Sequence, residues 1–567
     1  MLRRLYSPAR RASSTATGSG MGFAWRNPHN AVPKETCSAI ASEYLVKTLS
    51  SRVYEMAVET QTGYAATLSS NLGNNCYLKR EDTQPVFSFK IRGAYNKIAS
   101  LSKEQKAKGV VTCSAGNHAQ GVAMSAAKLG INAIVVMPVA TPKIKVNAVR
   151  RFGGTTVKVL LHGKNYDEAA AEAARLVASE GLTMVHPFDD PHVIAGQGTI
   201  GMEILNSIVG QEVDSIFICT GGGGMLAGIA CYIKAVRPEV KVFGVEAEDA
   251  AGMTESLLAG RVTTLPFVGL FADGAAVRTV GQETFRVSQA LVDGMITVKT
   301  DEICAAIKMC FEDTRCVLEP AGALGIAGMV KYVQSQKGEQ GTGVTGKTLV
   351  AITSGANMDF DRLRFVSERA DFSETLMAVT IPEIPGAFRE FYSVIYPRNV
   401  TEFSYRWSGN HQADIVVSLQ TLSGLASGED KALVMQKLAA RGYQVQDLSD
   451  NELAKSHIRH MAGGRPKICG DSADPAGLNT RVEHVFRFEF PESPGALGKF
   501  LFTLTDFNQA WTISLFHYRN HGDDYGRVLV ALLVQESEIG ELRAFLDKLA
   551  YTYYEEGDNP AFVQFLK

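Results

Sequence analysis

Between residues 79 and 94 the chain reads Lys79-Arg80-Glu81-Asp82-Thr83-Gln84-Pro85-Val86-Phe87-Ser88-Phe89-Lys90-Ile91-Arg92-Gly93-Ala94, and this stretch decides the fold. It places Lys90 directly after Phe89 and just ahead of Arg92. A lysine amine becomes a nucleophile or a base only where its surroundings disfavour the ammonium form. The apolar neighbours predict such surroundings, and we expect Arg92 to add like-charge repulsion. On this stretch alone an ordinary surface lysine stays an alternative.

Bulk composition indicates a large globular protein. A chain of 567 residues predicts roughly three or four domains at about 150 residues each. Hydrophobic residues make up 46% and charged residues 20%, which is ordinary for globular proteins. The formal charge of −2 argues against a nucleic-acid partner. The chain has no uncharged apolar run long enough to span a bilayer, so we expect no membrane partner.

The nine cysteines predict neither a disulfide framework nor a metal site. They form no CxxC pair and no Cys/His cluster, which structural zinc sites require. We therefore expect free thiols and no bound metal.

The amino terminus has a composition of its own. Residues 1–20 contain four arginines, many Ser, Thr and Ala residues and no carboxylate, and the first acidic residue of the chain is Glu35. This composition is typical of a mitochondrial transit peptide, which we predict over residues 1–35, with the mitochondrial matrix as the location. A basic tail without a targeting role is the alternative.

From about residue 40 to residue 370 short apolar strands alternate with helical segments, as in α/β folds. Three predicted strands run directly into turns rich in glycine or small polar residues, at Ser114–Gly121, Gly221–Gly224 and Ser354–Asn357. Ligands in such sheets bind at the carboxyl ends of the strands, where these turns lie.

Each turn has a chemical and a structural interpretation. The glycines at 221–224 could present N–H groups to a phosphate at a helix N-terminus, or could form only a tight loop. They lack the GxGxxG and GK[ST] spacings, which disfavours a dinucleotide or a nucleoside triphosphate. Ser114–Gly121 suits a carboxylate, although an ordinary helix cap is as probable. Ser354 could donate to a ring nitrogen, although a simple turn is the commoner role of Ser-Gly.

Taken together and in this order, the motifs resemble those of the fold-type II pyridoxal-phosphate enzymes, and especially the biosynthetic threonine deaminases. The resemblance covers the chain from about Val53 to its end. The motifs that carry it read Ser88-Phe89-Lys90-Ile91-Arg92-Gly93-Ala94, Ser114-Ala115-Gly116-Asn117-His118-Ala119-Gln120-Gly121, Gly221-Gly222-Gly223-Gly224-Met225-Leu226-Ala227-Gly228 and Ser354-Gly355-Ala356-Asn357. It implies an α/β catalytic region over residues 40–370, built of two α/β subdomains with mainly parallel sheets.

The resemblance also implies a cofactor and its ligands. The cofactor is pyridoxal 5'-phosphate, linked to Lys90 as a Schiff base, with Asn117 at its ring hydroxyl and Ser354 at its ring nitrogen. The residues implied to hold its phosphate are Gly221, Gly222, Gly223, Gly224 and Met225. Those implied to bind the substrate carboxylate are Ser114, Ala115, Gly116, Asn117 and His118.

The implied reaction is deamination of L-threonine to 2-oxobutanoate and ammonia, the first step of isoleucine biosynthesis. L-Serine dehydration on the same scaffold and a catalytically silent amino-acid sensor are the alternatives. The intact Lys90 favours an enzyme, since a sensor has no need of that amine.

Two acidic segments receive weaker interpretations. For Glu246, Glu248 and Asp249 a solvated loop is favoured over a cation site. The segment beginning at Glu319 resembles a family segment that lines the site, and we assign it no catalytic role.

The carboxyl-terminal region contains an internal repeat. Ile381-Pro382-Glu383-Ile384-Pro385-Gly386-Ala387-Phe388 is echoed by Phe490-Pro491-Glu492-Ser493-Pro494-Gly495-Ala496-Leu497, and Phe403-Ser404-Tyr405-Arg406 by Phe516-His517-Tyr518-Arg519. Such self-similarity predicts two copies of one small α/β unit.

The repeats resemble the ACT-like α+β regulatory domains of threonine deaminases. We predict one domain over residues 374–449, a connecting segment over 450–480 and a second domain over 481–556. The resemblance implies isoleucine as inhibitor, valine as its antagonist and a homotetramer. The residues implied to bind effectors are Tyr405, Leu497, Leu501 and Tyr518, although helix-core packing is an equal alternative for the leucines.

Overall fold

The computed structural model describes residues 23–28, 32–208, 210, 212–336, 344–360, 362–370, 374–382, 384, 386–406, 412–420, 427–451, 481–491, 495–519 and 525–559. Most of the predicted transit peptide, and the predicted connecting segment beyond residue 451, lie outside these residues. The chain divides into two compact units, Met1–Ala370 and Asp371–Lys567.

The first unit contains two sheets. Its strands are β1 Trp25–Arg26, β2 Thr62–Tyr64, β3 Asn75–Lys79, β4 Val110–Cys113, β5 Ala133–Met137, β6 Val157–Leu161, β7 Thr183–Met184, β8 Ser215–Cys219, β9 Lys241–Ala247, β10 Gly294–Val298 and β11 Thr348–Ile352. One sheet has the order β1-β10-β9-β8-β11-β3-β2 and the other β6-β5-β4-β7. All neighbours are parallel except the edge pairs β1–β10 and β2–β3. The predicted pair of mainly parallel subdomains is confirmed.

The central strands of the larger sheet are buried on both faces, as is typical of parallel sheets. Every residue of β8 and β11 is buried, as expected of central strands covered by helices on both faces. The helices of this unit are Lys34–Leu49, Ala66–Leu72, Lys90–Ala99, Lys103–Lys108, Asn117–Leu129, Lys143–Gly153, Tyr166–Glu180, Pro191–Ser207, Gly224–Val236, Gly252–Ala259, Gln282–Leu291, Thr300–Thr314, Pro320–Ser335 and Arg362–Arg369. No helix among the described residues is long and apolar enough to cross a membrane.

The helices that carry the first two sequence motifs pack closely against each other. A β-carbon on Gly121 would lie 3.2 Å from the backbone carbon of Lys90, so the helices Lys90–Ala99 and Asn117–Leu129 are close neighbours at this point. The second helix begins at Asn117, directly after the small residues at 114–116. The polar motif residues therefore occupy its first turn, where N–H groups lack partners within the helix.

The described residues of the second unit form one antiparallel sheet of eight strands. They are β12 Glu374–Pro382, β13 Val400–Arg406, β14 Gln412–Gln420, β15 Gln444–Asp447, β16 Arg481–Pro491, β17 Thr512–Arg519, β18 Tyr525–Gln535 and β19 Thr552–Glu555, in the order β15-β12-β14-β13-β17-β18-β16-β19. Its described helices are Ala387–Ile395, Ser427–Ala440, Ala496–Phe507 and Ile539–Leu549.

The sequence repeat corresponds to the two halves of this sheet. β13 of the first copy pairs with β17 of the second, with Phe403 opposite Tyr518 and Tyr405 opposite Phe516. The buried side chains of both copies form one continuous core, to which each copy contributes a phenylalanine from its first helix, Phe391 or Phe500. The two copies are thus joined through both backbone pairing and a common core.

Candidate active site

The sequence motifs of the first unit meet at one end of the two sheets. The turns Ser114–Asn117, Gly221–Gly224 and Ser354–Asn357 follow β4, β8 and β11. The Phe89 N–H donates to the carbonyl of Ser354 at 3.2 Å, which places the lysine segment against the last of these turns.

Lys90 has the properties of a reactive amine. It is half-buried in the first turn of its helix, and its Nζ donates to the carbonyl of Pro187 at 3.0 Å. Burial lowers the pKa of Lys90 to about 8, although Cys219 and Glu319 oppose the shift. A substantial fraction of the amine is therefore neutral near physiological pH, as a nucleophile or base requires.

The expected repulsion from Arg92 is wrong, because buried carboxylates neutralise this arginine. Its guanidinium donates to Glu81 at 2.7 Å and is paired with Glu203, which also binds Lys79 at 2.5 Å. All four side chains are fully or almost fully buried. Desolvation, not a neighbouring cation, is thus the main cause of the lowered pKa of Lys90.

The tetraglycine turn is packed too tightly for side chains. A β-carbon on Gly222 would lie 2.2 Å from the ring of Phe188, and one on Gly221 would lie 2.9 Å from the backbone of Ala275. Gly223 has φ of +91°, which favours glycine, and the helix Gly224–Val236 begins at the next residue. The turn therefore presents backbone N–H groups at a helix N-terminus, an arrangement that suits a phosphate.

Two serine hydroxyls next to the lysine segment are weakly engaged. Ser354 is buried. Its Oγ lies 3.4 Å from the carbonyl oxygen of Ala321, which is long for an O–H···O hydrogen bond, and its hydroxyl also interacts with the weakly hydrogen-bonding thiol of Cys219. Ser88 Oγ is buried and has no hydrogen-bond partner among the described residues. Both hydroxyls retain capacity to bond a ligand.

Asn117 contacts the buried carboxylate of Glu319, the first residue of the segment that was expected to line the site. Its Nδ2 donates to Glu319 Oε1 at 2.6 Å, and its Oδ1 accepts from Asn357 Nδ2 at 2.8 Å. Burial raises the pKa of Glu319 to about 7. The only sequence signal for Glu319 was its place in a family-like segment.

The predicted substrate loop has a half-buried part, residues 114–117, and a buried residue, His118. Residues 114–117 are half-buried, and a β-carbon on Gly116 would meet open space. His118 is buried, with Nε2 2.9 Å from the carbonyl of Val185. Burial, with Lys90 nearby, lowers the pKa of His118 to about 3, so the ring is neutral. The half-buried part can receive a ligand, while the histidine ring anchors the loop.

The solvated loop expected at Glu246 is wrong for that residue, while Glu248 and Asp249 are exposed. Glu246 is completely buried, and its carboxylate accepts hydrogen bonds from the N–H groups of Met253 and Thr254 and from the Thr254 hydroxyl. The helix Gly252–Ala259 thus satisfies this carboxylate with its first turn. The described residues contain no group of three or more His, Cys, Asp or Glu that could hold a metal ion.

These residues fit pyridoxal phosphate. A primary amine with a lowered pKa suits its aldehyde, side-chain-free N–H groups suit its phosphate, and the two weakly engaged serine hydroxyls suit polar atoms of a bound ring.

In the second unit the four predicted effector residues line two pockets between the repeats. Pocket A contains Tyr405 and Leu501, and it is lined also by Ile381, Phe388, Trp511 and Ile513. Pocket B contains Tyr518 and Leu497, and it is lined also by Tyr392, Arg398, Asn399 and Phe516. Since Tyr405 and Tyr518 occupy equivalent positions in the two repeats, the pockets are equivalent too.

Comparison with known proteins matches both units to families. Residues 56–355 match the family described as pyridoxal-phosphate dependent enzyme. Residues 367–458 and 475–566 match the C-terminal regulatory domain of threonine dehydratase.

Whole-chain relatives extend the match across both units. The biosynthetic L-threonine dehydratase IlvA of Burkholderia multivorans is 51% identical over 92% of this chain and 99% of its own length. The mitochondrial threonine dehydratase of Saccharomyces cerevisiae is 48% identical over 93% of this chain and 89% of its own. The processed form of threonine deaminase isoform 2 from Solanum lycopersicum is a similar solved structure. Its TM-score is 0.58 at 45% identity, covering 63% of this chain and 99% of that one.

Proposed function

The chain belongs to the threonine dehydratase family of pyridoxal-phosphate-dependent enzymes, and from this we propose that it deaminates L-threonine to 2-oxobutanoate and ammonia, the first step of isoleucine biosynthesis. The observation that carries the proposal is Lys90, whose amine has a pKa lowered to about 8 beside a turn built for a phosphate. A silent sensor would not need such an amine.

The residues of the sequence motifs supply the groups that would hold the cofactor. Lys90 would be its covalent anchor, and backbone N–H groups from Gly221 to Met225 would hold its phosphate. Asn117 would contact its ring hydroxyl, and Ser354 would offer a neutral donor to its ring nitrogen. Bound pyridoxal phosphate supplies an electron sink for negative charge at the substrate Cα.

The residues of the chain supply binding and proton transfer. The loop from Ser114 to His118 binds the substrate carboxylate through its N–H groups and its serine hydroxyl. The amine of Lys90, freed when the amino group of the substrate displaces it from the cofactor, would take the proton from the substrate Cα as a general base. The hydrogen bond from Lys90 Nζ to the carbonyl of Pro187 helps to hold this amine in position.

An assay of keto acid and ammonia release from threonine tests the function. The holoenzyme should release both from L-threonine, and Lys90→Ala should lose this activity by a factor of at least about 1,000, as expected for loss of an essential base and anchor. After borohydride reduction, mass spectrometry should find the cofactor covalently attached to the peptide that contains Lys90.

Parallel assays distinguish the alternatives. Faster turnover of L-serine than of L-threonine would favour a serine dehydratase. Binding of amino acids without release of ammonia from either substrate would indicate a sensor.

The second unit is proposed to regulate this activity. Isoleucine inhibits and valine opposes it by binding in pockets A and B, where Tyr405, Leu501, Tyr518 and Leu497 contact them. The support is the family match of this region and the equivalent pockets between its repeats. Tyr405→Ala and Tyr518→Ala should each shift the isoleucine inhibition curve, whereas an unchanged curve in both would exclude the pockets.

Location, assembly and domain limits complete the proposal. The basic amino terminus and the mitochondrial relative in yeast support a transit peptide within residues 1–35 and a matrix enzyme. Import into isolated mitochondria, with sequencing of the processed product, tests this. We propose a homotetramer, which sedimentation at equilibrium tests, and regulatory domains over 374–449 and 481–556, joined by 450–480.

A further inference from the structure

Glu319 is a buried carboxylate for which the proposed reaction has no use. It is only 5% exposed, it directly precedes the helix Pro320–Ser335, and its own N–H donates to the carbonyl of Gly355 at 3.1 Å. Burying a carboxylate is costly unless hydrogen bonds compensate it. Its contact with Asn117 at 2.6 Å is therefore a feature that needs an explanation.

The amide of Asn117 is held at both ends. An ionised carboxylate only accepts hydrogen bonds, so the amide must turn its NH2 group toward Glu319. At the other end Asn357 Nδ2 donates to Asn117 Oδ1 at 2.8 Å, and the same nitrogen donates to the carbonyl of Val86 at 2.8 Å. The amide nitrogen of Asn117 keeps one further hydrogen for another acceptor.

One glycine makes room for this contact. A β-carbon on Gly355 would lie 2.5 Å from Glu319 Oε1 and 3.3 Å from Asn117 Nδ2. A side chain at Gly355 would force the carboxylate away from the amide, so the local backbone preserves the pair.

We propose that Glu319 is a positioning residue, which fixes the amide of Asn117 so that its NH2 group faces the ring hydroxyl oxygen of pyridoxal phosphate. The inference rests on the proposed function, in which Asn117 contacts that oxygen. A reversed amide would turn its carbonyl oxygen toward an oxygen atom of the cofactor, which is repulsive when the cofactor oxygen is ionised.

The charges around Glu319 keep its carboxylate available near neutral pH. Burial and Asp273 raise its pKa to about 7, while the hydrogen bond from Asn117 and the charge of Lys145 lower it. Lys145 comes from the helix Lys143–Gly153 and pairs with Asp273 at 2.7 Å, and Lys90 also faces this carboxylate. Above about pH 7 the ionised carboxylate enforces the orientation of the amide. Below it, a protonated carboxyl no longer requires the NH2 group of the amide, and the orientation depends on the hydrogen bond from Asn357 alone.

A double-mutant cycle in the full-length holoenzyme tests the proposal. Glu319→Gln should weaken pyridoxal-phosphate binding about tenfold, because a hydrogen bond to a charged group is replaced by a neutral one that no longer dictates the orientation of the amide. The pH at which the visible spectrum of the bound cofactor titrates should also shift. In the Asn117→Ala background, the same substitution should change neither quantity.

Further variants make the test specific. Glu248→Gln removes an exposed carboxylate and should leave both quantities unchanged. Asn357→Ala removes the other contact of the amide and should weaken cofactor binding only while Asn117 is present. If Glu319→Gln does not fold, Glu319→Asp decides the matter, because it keeps the charge but shortens the side chain and should weaken cofactor binding only while Asn117 is present.

The proposal would be overturned if the effect of Glu319→Gln did not depend on Asn117. If Glu319→Gln weakens cofactor binding equally with and without Asn117, or leaves binding and spectrum unchanged, the carboxylate does not act through the amide. Failure of the proposed function has a different signature, since the wild-type protein would then not attach the cofactor to Lys90.

Discussion

The lowered pKa of Lys90 is set by desolvation, and its consequences can be measured at the level of one side chain. Burial shifts it to about 8 from 10.5, against the opposing influence of Cys219 and Glu319. Only the neutral amine can attack the aldehyde of the cofactor.

The rate at which the apoenzyme attaches pyridoxal phosphate should therefore rise with pH and level off above about 8. The sign follows because a lowered pKa leaves more neutral amine at any given pH below it. The rate is measured from the change in visible absorption at fixed cofactor concentration. A rate that keeps rising toward pH 10.5 would show an ordinary lysine.

The buried charges near Lys90 predict a large effect of a single substitution on stability. Arg92→Met should lower the free energy of unfolding by about 3–5 kcal/mol, because it leaves Glu81 and Glu203 buried with too little positive charge. Denaturant unfolding measures the change. The matched control Arg237→Met removes an exposed arginine paired with Glu239 and should have no measurable effect. Equal stability of the Arg92 variant would mean that Lys79 alone compensates both carboxylates.

At the scale of elements, the glycine turn after β8 can present its backbone N–H groups to a phosphate only because its residues have no side chains. Gly222→Ala would place a β-carbon 2.2 Å from the ring of Phe188, so either the ring or the turn must move. Overpacking of this kind costs about 1–3 kcal/mol.

We expect Gly222→Ala to weaken pyridoxal-phosphate binding roughly tenfold or more, by the same energy scale, while the helices and strands persist. Equilibrium dialysis measures the affinity, and circular dichroism the secondary structure. Gly540→Ala is the matched control, because a β-carbon there meets open space. Unchanged affinity in the Gly222 variant would remove this turn from the phosphate site.

Local patterns explain how much of these elements could be predicted. The helix Tyr166–Glu180 shows such local signals, because the Asn165 side chain caps its start and Gly181, with φ of +70°, ends it. The strand-to-turn motifs likewise lie in continuous sequence, so the residues around the cofactor could be inferred together. Both parts of the prediction depended on signals within a few residues of each other.

The errors concern buried charged residues whose partners depend on the fold. Arg92 lies 111 positions from its partner Glu203, and the contact between Glu319 and Asn117, which spans 202 positions, was not predicted. Glu246 was expected in a solvated loop because its partners become visible only when the helix Gly252–Ala259 folds back against it. A sequence shows which residues can carry a charge. It does not show which partner in the folded protein permits their burial.

At the scale of the whole molecule, catalysis and regulation belong to separate compact units. The first unit, Met1–Ala370, has a hydrophobic core of its own, and the second begins at Asp371. Effector binding changes activity only through a coupling free energy between the two, typically about 1–3 kcal/mol in allosteric proteins.

A chain ending at Ala370 should therefore deaminate threonine without inhibition by isoleucine. In the full chain, inhibition should raise the apparent threonine requirement by about 5–150-fold, the range of such coupling energies. Initial rates over a matrix of threonine and isoleucine concentrations measure this. Equal inhibition of the shortened chain would place the effector site in the first unit.

The pairing of β13 with β17 has a consequence for how this protein can be dissected. Since the two repeats share one sheet, a cut between them does not release two finished domains. The cut turns β13 and β17 into edge strands whose backbone N–H and C=O groups have lost their partners. Such edges can pair with strands of other chains. A single repeat expressed alone should therefore self-associate. The smallest regulatory fragment that can fold by itself should contain both repeats.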